Sequence, residues 1–526
     1  MIHLFFNKTI LIAFFTGVAV SLSQAQTWEI YDEEFTLLKK IENEKITILG
    51  NALRLSDQGS SFNLLGTDYE PIVNISNSAV FQYLEPWMII SKEGKLGAYH
   101  EYGEEIFKTE YDEIDTYYNL LLARQGIAFF LYDRGKREKK PLGSYESAFI
   151  AKNGQVIARG TQGYYLPLSD DPTYRYDSLI SVSENVIISK EPTGYGLINR
   201  DGNNILEPII DEINYMGDEF FFAKNGREYL LIKAMTNRAD IKYTSYHQIT
   251  IEDDVILEYI HGRLRRVMKR DGILLDAVGM VSVTKTGPDH FTVAFRDGKI
   301  GLLDKNGKWE VSPTGGIQAL FPGGDGLNGA LIDGKYGFVD RRGVLRIANR
   351  YEQIGRFSEG LAPVKIGDYW GYIDQNDQIS IQPRFQWAGD FVQGVAIVRR
   401  EGKANLIDNR GKELLSDYYD RVSIIDDRYY LTEDNSLFGL ADSQGAEICI
   451  PKFDELRREG EDRILIRRGD KYGIMKETGE YSLPIYYTNI IFDLGNQRIL
   501  AEEEYVAPMV VVEENESGKK SNKRGT

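Results

Sequence analysis

Three groups of side chains in this chain have the types and spacing that chemistry needs. Carboxylates cluster at residues 111–115 (YDEID), 209–213 (IIDEI) and 452–456 (KFDEL). Paired acids of this kind can serve as acid and base on a glycosidic bond. The run Asp304-Lys305-Asn306-Gly307 opens like a calcium loop. The later oxygens of a cage that needs six or more ligands are missing, and a hairpin turn with local Asp and Asn hydrogen bonds accounts for it. The third group is the basic stretch 263–270 (RLRRVMKR). It would suit an acidic partner, or it is a solvated strand paired to acidic neighbours such as residues 251–254 (IEDD), which also blunts a sheet edge.

Other chemistries lack their residues. His100, His247, His261 and His290 show neither i, i+2 nor i, i+4 spacing, so histidine gives no metal site. There is no nucleophile elbow G-x-S-x-G and no phosphate-cradling G-x-x-x-x-G-K-[ST]. Cys449 is the one cysteine and sits in apolar alternation (AEICIPKF), as a buried strand residue does. No cofactor, catalytic residue or metal is expected. The net charge of −17 repels phosphate backbones, so nucleic acid is not an expected partner.

The acidic clusters recur at equivalent places, which directs attention to the elements that carry them. Segments KYGFVDRRG, YWGYIDQND, KANLIDNRG, LFGLADSQG and KYGIMKETG place Gly337, Gly371, Asn405, Gly439 and Gly473 at successive intervals of 34 residues. Gly301 lies 36 residues before Gly337, Arg266 takes the glycine's place 35 residues earlier still, and Gly196 and Gly97 carry the same pattern 99 residues apart. A fixed period of this size marks a repeat architecture.

Each unit reads as about three short antiparallel strands. LAPVKI and VAIVRR alternate as strands do, a Gly-containing turn leads into YWGYID, and a QND- or KNG-type turn leads to QISIQPRF or AEICIPKF. Pro383 and Pro451 lack an N–H and should lie where that strand leaves its ladder. Glycine in mid-strand implies a close approach by another group, and the expected group is an aromatic ring of the neighbouring unit, Phe385 or Trp387 for example. Trp370 corresponds to Tyr336, Tyr195, Tyr472, Ile300, Leu96, Phe438 and Ala404, a drift that suits packing better than ligand recognition. The expected structural positions are therefore Gly97, Gly196, Gly301, Gly337, Trp370, Gly371, Gly439, Gly473, Pro383 and Pro451.

These strands, the DKNG-type turns, IQPRF, IPKF and FSEGLAPVK resemble the WG-repeat family, most specifically over residues 299–490 and more weakly over 63–213. The resemblance implies an extracytoplasmic or surface-associated β-repeat protein and brings no catalytic residue. The expected fold is all-β, with tandem repeats of about 34 residues stacked as a solenoid or superhelical array. One or two β-propellers are the alternative, placed second because propeller blades usually run to ~40–45 residues.

Residues 1–25 read as an export signal, with Lys8, the apolar run 9–22 and a small-residue site before Gln26. Beyond them the reading is a cap over 26–62, degenerate repeats over 63–225, divergent ones over 226–296, well-formed ones over 297–495, and a C-terminal segment with a disordered tail over 496–526. The function expected is an exported, non-catalytic scaffold in the periplasm, at the cell surface or outside the cell. It would bind a protein or an envelope polymer and have no membrane span after signal cleavage. A glycan hydrolase with carboxylates gathered in a cleft is the competing reading.

Overall fold

The computed structural model describes residues 27–42, 45–57, 61–252, 255–270, 272–460 and 462–503. The export signal and the tail beyond Glu503 lie outside the described residues. Two compact units are formed, one from the two ends of the chain and the other from Ala79–Leu456 with Glu477–Gly479.

Every element is a β-strand, and among the described residues they form fourteen antiparallel sheets. Twelve of these are four-stranded meanders rather than the three-stranded units expected from sequence. The extra strand is the aromatic-and-glycine segment read as a turn, which contributes pairs as short as Gln353–Ile354 and Trp387–Ala388. Four strands fit into 34 residues because the connections are minimal. Asp333-Gly334 and Glu401-Gly402 link the second strand to the third with positive φ at both positions, as a two-residue type I′ hairpin requires. Blade-type sheets of this kind favour the propeller-like alternative within the all-β repeat class.

The unit at the two chain ends shows how the array is completed. Thr27–Tyr31 pairs with Arg498–Glu503, and one sheet runs Leu37–Glu42, Thr27–Tyr31, Arg498–Glu503, Asn489–Asp493. TWEIYD is thus the third strand of a repeat whose first two strands come from the C-terminal end. Residues 27–42, expected as part of a cap, are two strands of that shared sheet. Arg54 and Asp493 form a buried ion pair in the same unit, and the Tyr69 hydroxyl donates to Asp493 at 2.7 Å.

The core is built between consecutive sheets. Phe357 packs on Phe338 of the preceding sheet with ring centroids 4.7 Å apart, and 34 residues later Phe391 packs on Tyr372 at 4.9 Å. All four rings are buried, and burying aromatic rings of this size contributes strongly to stability.

Candidate functional site

In the best-formed repeat, Leu361–Ile366, Tyr369–Asp374 and Ile379–Phe385 pair in order. Trp370 pairs with Phe385 and Tyr372 with Ile381, so Gly371 alone stands opposite Gln382, Pro383 and Arg384. This is a bulge, and it drives backbone toward the glycine. A Cβ on Gly371 would lie 2.5 Å from the Ile381 carbonyl oxygen and 2.7 Å from the Pro383 nitrogen. The same clash recurs at Gly97 with Phe107 O, Gly196 with Leu206 O, Gly337 with Ile347 O, Gly439 with Cys449 O and Gly473 with Leu483 O.

The expected aromatic ring is found only at Gly301, where Trp309 of the same sheet lies nearest. Elsewhere the close group is the main chain of the fourth strand, while the neighbouring unit's rings pack one residue further on, at Phe338 and Tyr372. Pro383 sits inside the bulge, where its missing N–H leaves no donor unpaired. Pro451 has the matching place opposite Gly439.

Asn405 shows what happens when the glycine is absent. Its sheet has three strands, because KELLSDYYD lacks the alternation of QISIQPRF. The buried Asn405 amide donates to the Leu415 and Asp417 carbonyls, at 3.2 and 2.9 Å, and accepts from Leu415 N–H at 3.2 Å. The segment 412–420 still bridges back at Ala404–Tyr419 and Ile407–Glu413, in the register of Trp370–Phe385 and Ile373–Ile379, and the Asn405 amide ties down the backbone between those bridges. At Arg266 the substitute is charge. Its guanidinium meets the fully buried Glu258 at 2.9 Å, the Tyr243 hydroxyl at 3.0 Å and Asp276 at 2.8 Å. Ser245 also donates to Glu258. Arg265 pairs with Asp276 and Arg270 with Asp218, so three of the five cations in the basic stretch are matched by acids. Of the acidic stretch 251–254, Asp253 and Asp254 lie outside the described residues.

The carboxylates are committed in two recurring ways. In the turns after the third strands, Asp304, Asp340, Asp374, Asp408 and Asp442 each accept the N–H groups two and four residues on, at 2.8–3.0 Å. The Gln378 N–H holds the Asp374 carboxyl below the usual carboxylate range. The second way involves the clusters at 111–115 and 209–213. Asp112 accepts Gly126 N–H at 2.7 Å and Asp211 accepts Gly226 N–H at 2.6 Å, each tying a strand entrance to the next hairpin turn. Gln318 and Gln386 bind Gly334 and Gly402 in the same way. An uncharged amide fills this role as well as an acid does.

Beside Trp370 the surface opens into a groove of about 380 Å³, lined by Phe321, Tyr336, Ile354, Trp370, Arg356 and Asp390. Gly329 lies in its wall where the neighbouring repeats carry Pro363 and Ile397. Asp390 accepts both the Arg356 N–H, at 2.9 Å, and its Nε–H, at 3.1 Å. Sequence reasoning missed this groove, although Gly329 breaking the apolar run of its strand position was a readable sign. Among the described residues there is no group of three or more His, Cys, Asp and Glu side chains that could hold a metal.

The family model for the WG containing repeat matches residues 195–229, 336–370 and 370–403, and the chain carries WG repeats at these places. No curated protein sequence matches the chain. Among solved structures, two of the extracellular domain of BT4673 from B. thetaiotaomicron are similar at 10% and 9% identity. The first covers 91% of this chain and 81% of that one, with a TM-score of 0.19; the second covers 85% and 78%, with a TM-score of 0.19. BamB from Moraxella catarrhalis is similar at 14% identity over 50% of this chain and 91% of that chain, with a TM-score of 0.18.

Proposed function

We propose that this WG-repeat protein is an exported, non-catalytic scaffold that binds another protein or a cell-envelope polymer through surfaces offered by its repeats. The observation that carries the reading is the commitment of the repeated carboxylates to backbone amides, with glutamine taking the same place in two repeats. A catalytic acid pair would need free, specifically ionising carboxylates. The apolar run of residues 9–22 supports export. The aromatic groove beside Trp370 is the concave, mostly apolar kind of surface that recognition uses, with Arg356 and Asp390 as its polar rim.

Affinity capture tests this, with residues 26–526 as bait on envelope extract and with both proteins and glycans followed. A saturable partner should be retained by a Trp370→Tyr variant and lost when Gly329→Leu fills the groove. Cleavage of polysaccharide with no partner captured would overturn the scaffold reading in favour of hydrolysis.

A further inference from the structure

A second cavity lies well away in sequence, lined by Tyr117, Tyr118, Asn119, Asn153, Gly154 and Arg200, with a volume of about 280 Å³. At about 30 Å³ per water this is room for roughly nine waters, or for one small ring with a polar substituent.

Asn153 is fully buried, and its Nδ2 has no hydrogen-bond partner. The orientation of the amide is fixed, because its Oδ1 accepts Gln155 N–H at 3.1 Å. The nitrogen is therefore a buried donor left over, and such a group costs free energy until something accepts from it. Arg200 is exposed and makes no ion pair among the described residues. Its carbonyl is held by Gln155 Nε2 at 2.9 Å, which ties its backbone to the Asn153 turn. Neither the Tyr117 nor the Tyr118 hydroxyl has a hydrogen bond among the described residues. Burial raises the Tyr117 pKa, and the Arg200 charge opposes that rise, more strongly than the Glu184 charge reinforces it.

One cation without an ion pair, one buried amide donor and two phenol donors line the same cavity, in a chain of net charge −17. We infer that this cavity binds a small carboxylate-bearing ligand, with Arg200 and Asn153 donating to the carboxylate and the Tyr117 and Tyr118 rings covering its carbon skeleton. A carboxylate matches a planar fork of N–H donors and accepts from several at once.

Titration calorimetry on the full chain, with acetate, succinate and glucuronate as carboxylates and with glucose and inorganic phosphate as controls, tests this. At least one carboxylate should bind saturably at millimolar concentration and more tightly than either control. Arg200→Gln, an exposed change that leaves folding intact, should weaken it by about tenfold or more. Tyr118→Phe removes only a hydroxyl and should weaken it less. Four results would overturn the assignment: no carboxylate saturates, glucose binds as well as glucuronate, phosphate binds more tightly than the carboxylates, or Arg200→Gln changes nothing.

Discussion

Gly371 and Arg266 occupy the same place in their repeats and solve the same problem in opposite ways. At Gly371 the side chain is removed and the fourth strand bulges in until its backbone fills the space. At Arg266 the longest of side chains is accommodated by a buried counter-charge on the directly paired residue, Glu258, and by Tyr243, Ser245 and Asp276 around it. Asn405 lies between the two, a neutral side chain that hydrogen-bonds the backbone it faces. The position therefore demands satisfied backbone and filled volume, and no particular chemistry. This is why a mutation at Gly371 should fail by steric overlap, while one at Arg266 should fail by leaving a charge unpaired.

The largest effect that sharpens the contrast is expected at Arg266. Arg266→Met leaves the buried Glu258 carboxylate without its cation and should cost about 3 kcal/mol in urea denaturation. The double variant Arg266→Met with Glu258→Leu should recover most of that loss, because an apolar pair of similar volume often does as well as a buried ion pair. Persistence of the full loss in the double variant would mean that the network has a role beyond satisfying itself.

Asn405→Gly comes next. It restores the commonest residue of the repeat, yet it should lower stability by about 2 kcal/mol, since the Leu415 and Asp417 carbonyls and the Leu415 N–H lose their partner. A neutral or stabilising result would show that residues 412–420 can close into the bulge seen opposite Gly371. Asp374→Ala removes two turn hydrogen bonds at an exposed site and should lower the urea midpoint by less than Asn405→Gly does.

The smallest effect is a pH dependence in the degenerate repeats. His100 is packed edge-on against Trp87, with ring centroids 5.4 Å apart, and its Nε2 has no partner. Burial, helped by Arg134, lowers its pKa, so the folded protein keeps it neutral where the unfolded chain takes up a proton. Stability should therefore decline as pH falls below about 6.5, the unfolded value, and level off once the folded state also protonates. Denaturation midpoints at pH 7 and pH 5.5 should converge in a His100→Leu variant.

The sequence made the period, the strand class and the turn chemistry plain, because glycine spacing and apolar alternation are local signals. Gly307, Gly343, Gly411 and Gly445 do take the positive φ that the bulged turns need. The group that crowds Gly371 was not legible, since it depends on how many residues of the fourth strand face one residue of the third. In the two best-formed units the first strand was missed because two residues, Gln353–Ile354 and Trp387–Ala388, show no period. TWEIYD could have been matched to YWGYID, with Glu29 in the glycine's place, but its pairing partners lie at the far end of the chain. The Asn153 cavity had no sequence signal, because an unpartnered donor is visible only once its surroundings are known.

The repeat is held by the absence of a side chain at the glycine rather than by the indole beside it. Urea denaturation of Gly371→Ala set beside Trp370→Tyr tests this most directly. Gly371→Ala should lose about 2–3 kcal/mol, since the new Cβ meets main chain that cannot retreat. Trp370→Tyr should stay within about 1 kcal/mol of the parent, because tyrosine holds the same place at Tyr195, Tyr336 and Tyr472. The reverse order, an untouched Gly371→Ala and a crippled Trp370→Tyr, would contradict it.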